Sequence, residues 1–193
     1  MPVTKLDSRT ALIIVDLQKG IAAFPCSHPV GEVAKRAGDM AAAFRAHDLP
    51  VVLVNVTGVA PGRTEHGHPS GAFPPDFAEL MQELNVQPSD HLVSKRTWGA
   101  FTGTDLQSYL ESSGATQVVV CGVATSIGVE STARQAHELG LNVTLVVDAM
   151  TDVSAEAHAN SLERIFPRLG ETGTAQEIIG LIDSGRQVHV NEG

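Results

Sequence analysis

ALIIVDLQ, residues 11–18, is an almost unbroken apolar run of strand length that closes on an acid, Asp16, and two polar-flanked residues beyond it. A strand exposed on one face alternates polar and apolar residues. This one does not, so it reads as a central parallel strand covered on both faces. Working outward, Val33, Ala37, Met40, Ala41 and Phe44 recur at helical spacing between Val30 and His47. Pro50 then introduces VVLVNV (51–56), a second buried strand. Strand, helix, strand is the unit of a parallel crossover.

The pattern continues along the chain. Residues 57–90 are rich in Gly, Pro and His, with a helix expected over Asp76 to Leu84, and a connection of that length is usually part of a lid or pocket wall. HLVSK (91–95) is a third strand ending on Lys95. Thr102 and Asp105 supply capping chemistry for a helix that ends near Gly114. QVVVCGV (117–123) is a fourth strand, about Gly128 to Leu139 a helix, and NVTLVVDAM (142–150) a fifth strand ending at Asp148. Ser154 and Glu156 open a helix running to about Phe166. A short strand near Glu171 and a helix from about Thr174 to Ile182 complete the set. The alternation predicts a three-layer α/β/α sandwich on a Rossmann-like, six-stranded, mainly parallel sheet. It is expected as one domain over 1–193, with a core at about 8–182 and a tail at 184–193.

Composition bounds what such a domain does. Hydrophobic residues are 42% and charged residues 18% of the 193, the balance of a folded globular protein. The net charge of -9 repels phosphate backbones and offers no long-range attraction to anionic membranes, so neither nucleic acid nor membrane is an expected partner. Two cysteines, Cys26 and Cys121, make no disulfide framework. The N-terminal MPVTKLDSRT is not an apolar signal segment, and no run approaches the roughly 18 apolar residues of a membrane span. A cytoplasmic enzyme or binding protein for a small molecule is the expectation.

Ligands of parallel sheets bind beyond the carboxyl ends of the strands, near the point where strand order reverses. That rule selects Asp16, Lys95 and the turn at 123–128. A carboxylate beside an ammonium in a desolvated cleft is a usable acid/base pair, although each residue alone also fits a structural ion pair or a solvated charge.

At CGVATSIGVESTARQA (121–136) the chain resembles the isochorismatase-like hydrolase superfamily, which includes isochorismatases, nicotinamidases, N-carbamoylsarcosine amidases and other cysteine hydrolases. IIVDLQKG (13–20), SKRTWGAFTGTDL (94–106) and 118–152 carry the likeness, and the order of elements agrees from about 8 to 182. The resemblance implies catalytic roles for Asp16 and Lys95, a homo-oligomer, and a cis peptide between Val123 and Ala124. It also implies a catalytic cysteine where this chain has Gly128. Cys121 lies seven residues earlier, inside the strand. Isochorismatases proper also dispense with the thiol, using the aspartate to protonate an enol ether to which water adds. They carry an aromatic residue and a histidine where this turn has Ala124 and Ser126, so the substrate is expected to differ.

The remaining candidates each admit two roles. Ser126 and Thr125 are expected to bind substrate, with alternative roles as nucleophiles or turn caps. Ala124, Gly128 and the N-terminus of the following helix are expected to line a substrate's anionic group. Trp98 and Phe24, with Phe101, either wall a substrate or pack in the core. Arg63 is a carboxylate clamp or a solvated cation, and Cys26 a displaced nucleophile or an inert thiol near His28. His66 and His68 form only half of a metal site, and no Asp-x-His follows the second strand; neither GxGxxG nor Walker A is present, so no metal or cofactor is expected. A cofactor-independent hydrolase, using Asp16 and Lys95 to activate water without a covalent cysteine intermediate, is the leading reading. A silent ligand-binding or scaffold relative and a cysteine hydrolase using Cys26 are the alternatives.

Overall fold

The computed structural model describes residues 2–65, 67 and 72–190. The opening run forms β1 (Thr10–Val15), every residue of it buried. It is followed by a single turn, α1 (Lys19–Ala22), and by the long α2 (Val30–Ala46). β2 (Val51–Val56) and β3 (His91–Lys95) come next, then α3 (Leu106–Ser113), β4 (Gln117–Val123), a π-helical turn at Thr125–Val129 and α4 (Glu130–Glu138). The chain closes with β5 (Asn142–Thr151), α5 (Ala155–Asn160), a second π-helical turn, α6 (Phe166–Leu169), β6 (Glu171–Gly173) and α7 (Ala175–Val190).

The strands form one sheet in the order β3-β2-β1-β4-β5-β6, parallel at every pairing. The expected three-layer sandwich is therefore present. Side chains of β1 divide between the two faces as a period of two requires. Leu12 and Ile14 join Val33, Met40 and Phe44 of α2 and Ile178 of α7 on one side. Ile13 and Val15 join Leu106, Leu110, Ala133 and Phe166 on the other.

Three details depart from the sequence reading. Residues 76–84 form turns and one short 3-10 segment (Gln82–Leu84) rather than a helix, because this stretch is tied down by β1 and the residues after it: Met81 N–H donates to Leu17 O and Lys19 N–H to Glu79 O. α7 continues to Val190, so the segment expected as a tail is helical up to that residue; nothing between Ile182 and Val190 is a proline. β5 also runs past Asp148. The register skips from Val120–Leu145 to Gly122–Met150, and this bulge lets β5 reach Thr151. Asp148 sits within the bulged stretch and accepts a hydrogen bond from Ala175 N–H at the start of α7 (2.7 Å), while Asp152 becomes the acid at the strand's carboxyl end. His66 and His68 lie outside the described residues.

Candidate active site

Strand order reverses between β1 and β4, and the crevice beyond their carboxyl ends is where the predicted residues meet. Asp16 leaves β1 in the left-handed region (φ 52), which Asp tolerates better than most side chains, and its N–H bonds Val54 O (2.9 Å). Lys95, the last residue of β3, starts two strands away, a distance of about 10 Å at ordinary strand spacing. Its long stem crosses the end of β2. The ammonium donates to Asp16 Oδ2 at 2.7 Å and to Thr97 O at 3.0 Å, with both charged residues buried.

This pair is asymmetric in a way that matters chemically. Oδ2 of Asp16 is held by Lys95, whereas buried Oδ1 has no hydrogen-bond partner among the described residues. Burial pushes the Asp16 carboxyl up to about 6, and the charge and hydrogen bond of Lys95 oppose that rise without cancelling it. A carboxyl poised near 6 with one oxygen uncommitted suits proton transfer near neutral pH.

The turn after β4 closes the third side. Gly122 (φ 124) lies against the backbone of Val15, where a Cβ would overlap the main chain, so β1 and β4 approach as they do only because a glycine stands there. The Val123–Ala124 peptide is cis. Gly128 is buried beside the pair: a Cβ built on it would stand 3.1 Å from Asp16 Oδ2, 3.0 Å from Val15 Cγ1 and 3.3 Å from Val123 O. Thr132 Oγ1 donates to Gly128 O (2.7 Å) and accepts from Ala100 N–H (3.1 Å), tying this turn to the segment that follows Lys95.

The other expected residues divide. Thr125 is fully buried and its hydroxyl meets His158 Nδ1 at 2.8 Å. Ser126 gives both its N–H (2.7 Å) and its hydroxyl (2.8 Å) to Asp152 Oδ2. An internal carboxylate thus already occupies donors that the sequence reading reserved for a substrate anion. Ala124 is partly buried against the core. Trp98 and Phe24 are 64% and 50% exposed, so core packing is excluded for both, and Arg63 is exposed. Cys121 is buried and burial pushes its thiol far up; Cys26 is half-buried, its thiol raised by burial and by the charge of Asp152. Neither is an activated nucleophile.

Sequence reasoning missed three residues. Asp152 was findable, since it follows a strand end as Asp16 does, but the bulge in β5 hid where the strand stops. Gln18 is fully buried and clamps β2 to the long connection, donating to Val56 O (3.0 Å) and Phe77 O (2.8 Å) while accepting from Val56 N–H (2.7 Å). His158 had no local signal; its partner is 33 residues away.

A doubly wound parallel sheet with a buried carboxyl–ammonium pair at its switch point is the architecture of an α/β protein with a small-molecule site. Comparison with known proteins sharpens this. The model of the isochorismatase domain matches residues 10–177. YwoC of Bacillus subtilis, an isochorismatase family protein, is 42% identical over 178 residues, covering 89% of this chain and 93% of that one. YecD of Escherichia coli O157:H7, of the same family, is 41% identical over 180 residues, 90% and 96% of the two chains. The structure of an isochorismatase family protein from Burkholderia thailandensis superposes with a TM-score of 0.89 at 38% identity over 93% of this chain and 98% of that one. The chain belongs to the isochorismatase family.

Proposed function

We propose that this isochorismatase-family hydrolase cleaves a small metabolite by using Asp16 to move a proton between water and the leaving group, with no covalent cysteine intermediate. The observation that carries the reading is the split role of the Asp16 carboxylate: Oδ2 is held by Lys95 and Oδ1 is buried without a partner among the described residues. Oδ1 takes a proton from the attacking water. The oxygen of that water bonds to the electrophilic carbon of the substrate. Protonated Asp16 then returns the proton to the departing oxygen or nitrogen, and the carboxylate is regenerated. Lys95 keeps its proton throughout, holding Oδ2 in place and supplying positive charge as negative charge develops on the substrate.

Support also comes from what surrounds the pair. Gly128 puts no side chain between Asp16 and the turn, and both thiols are raised rather than lowered, which opposes nucleophilic chemistry at Cys26 or Cys121. Ser126 and Thr125 are committed to Asp152 and His158, so we assign them to holding the turn; Ala124 and Gly128 then present backbone to the substrate. Exposed Trp98 and Phe24 are assigned to the apolar rim of the site. The reading includes a cytoplasmic homo-oligomer without metal or organic cofactor.

The test is a panel of amide, ester and enol-ether substrates assayed with the wild type and with Asp16→Asn. The variant should remain folded by circular dichroism and lose about 100-fold or more in kcat, the contribution expected of a positioned acid/base. Wild-type turnover left intact in Asp16→Asn would remove the mechanism. A wild type inactive on the whole panel but stabilised against heat by members of it would point to ligand binding alone.

A further inference from the structure

Behind the turn lies a second polar cluster that the mechanism above does not use. Thr125 Oγ1 and His158 Nδ1 are 2.8 Å apart. The rings of His158 and His28 stand 5.0 Å apart, centroid to centroid, and His28 is held by Thr151, whose Oγ1 accepts from His28 N–H at 3.0 Å and lies 3.2 Å from its Nδ1. Asp152 anchors the next residue of the turn through Ser126 and receives Ser154 N–H at 3.1 Å. The turn therefore has two side-chain anchors, at Thr125 and Ser126, and at Gly128 it lies so near Asp16 that an added Cβ would stand 3.1 Å from Oδ2.

We propose that His158 is a positioning residue whose protonation state sets the turn at Thr125–Val129, and through Gly128 the seat of Asp16. Hydrogen-bond count links the two. Thr125 is fully buried, and His158 Nδ1 is the partner of its hydroxyl. With the ring neutral and its proton on Nε2, the hydroxyl donates to Nδ1 and both groups are satisfied. Protonating the ring turns Nδ1 into a donor. The bond must then reverse, and the Thr125 hydroxyl hydrogen is left buried and in need of another acceptor, an arrangement that costs about 1–3 kcal/mol. The turn relieves this by moving Thr125. Because Gly128 lies three residues on in the same π-helical turn, its backbone moves with it.

The titratable groups facing His158 are His28, from the segment before α2, and Asp152, at the end of β5. Burial and His28 lower the His158 ring below its ordinary value and Asp152 opposes them, which agrees with the neutral form being the resident one. The catalytic consequence rests on the proposed role of Asp16, whereas the structural link does not.

Amide and imidazole NMR across a pH titration separates the two. In Asp16→Asn, which removes the carboxyl transition, the backbone amide signal of Gly128 is expected to shift with the same midpoint as the His158 ring signal. In Asp16→Asn combined with His158→Asn, where the asparagine amide replaces Nδ1, that shift should vanish. A Gly128 amide that stays flat while the His158 ring titrates overturns the proposal, whatever the enzyme's activity. Turnover supplies the second arm: His158→Leu should lower kcat by about tenfold to a hundredfold with KM little changed, as expected of a misplaced catalytic group. His158→Asn should recover most of that loss and remove the imidazole from the pH profile. Equal loss in both variants, with Gly128 flat, would make the histidine merely structural.

Discussion

Asp16 concentrates the chemistry of the site in one carboxyl group, and its pH behaviour has a definite sign. Its folded value of about 6 lies above the ordinary 3.8, so the folded state binds the extra proton between these two values. The stability contributed by Asp16 is complete below about 3.8 and is lost as the pH rises through about 6; denaturant midpoints compared between wild type and Asp16→Asn across that window should show it. Catalysis runs the other way. In the proposed mechanism the ionised carboxylate accepts the proton of water, so kcat/KM should fall tenfold per pH unit below about 6. Lys95→Met removes both influences that lower the carboxyl, and the midpoint of the profile should move above 6. Gly128→Cys places a thiol beside Asp16 but forces a Cβ against Val15 and Asp16; overpacking of this kind destabilises by about 1–3 kcal/mol. A lower melting temperature with no gain in turnover is the expected result, and a faster enzyme would contradict it.

Among the elements, the connection from β2 to β3 and the end of β5 decide the shape of the site. Gln18 is the clamp on the first. Replacing it with Leu leaves Val56 N–H, Val56 O and Phe77 O without their partner, a loss of about 3 kcal/mol by the ordinary penalty for unpaired buried groups. Hydrogen exchange should quicken over residues 77–84, and kcat should fall more than Tm alone explains. Gly20 allows the same connection to approach, because a Cβ there would overlap the Phe77 ring. These elements also show where the sequence was legible. Apolar runs located β2, β3 and β4 to the residue and overran the end of β1 by three residues, but 76–84 read as a helix and proved to be turns, since contacts with Leu17 and Lys19 outweigh local propensity. The bulge opposite Cys121 is invisible in composition, and it carries the strand past Asp148 so that Asp152 is the acid at its end.

For the molecule as a whole, a buried carboxyl–ammonium pair between strands two places apart ties the proposed activity to the intact sheet. No group of three or more His, Cys, Asp or Glu able to hold a metal occurs among the described residues, and the proposed chemistry needs none; dialysis against a chelator should leave turnover unchanged. Light scattering on the purified protein should give a multiple of 20.3 kDa, with exposed Trp98, Phe24 and Leu92 among the surfaces open to association. The sequence by itself determined the layer architecture, the family and which carboxyl and ammonium stand at the strand ends. Those depend on hydrophobic periodicity and on which residue follows each strand, and both are written along the chain. Only the tertiary structure decided that Oδ1 of Asp16 is the uncommitted oxygen, that Gly128 is closely packed, and that Ser126 and Thr125 serve Asp152 and His158. The reason is physical: hydrogen bonds and desolvation depend on distances across 26 to 79 residues of chain, which spacing along a sequence does not contain.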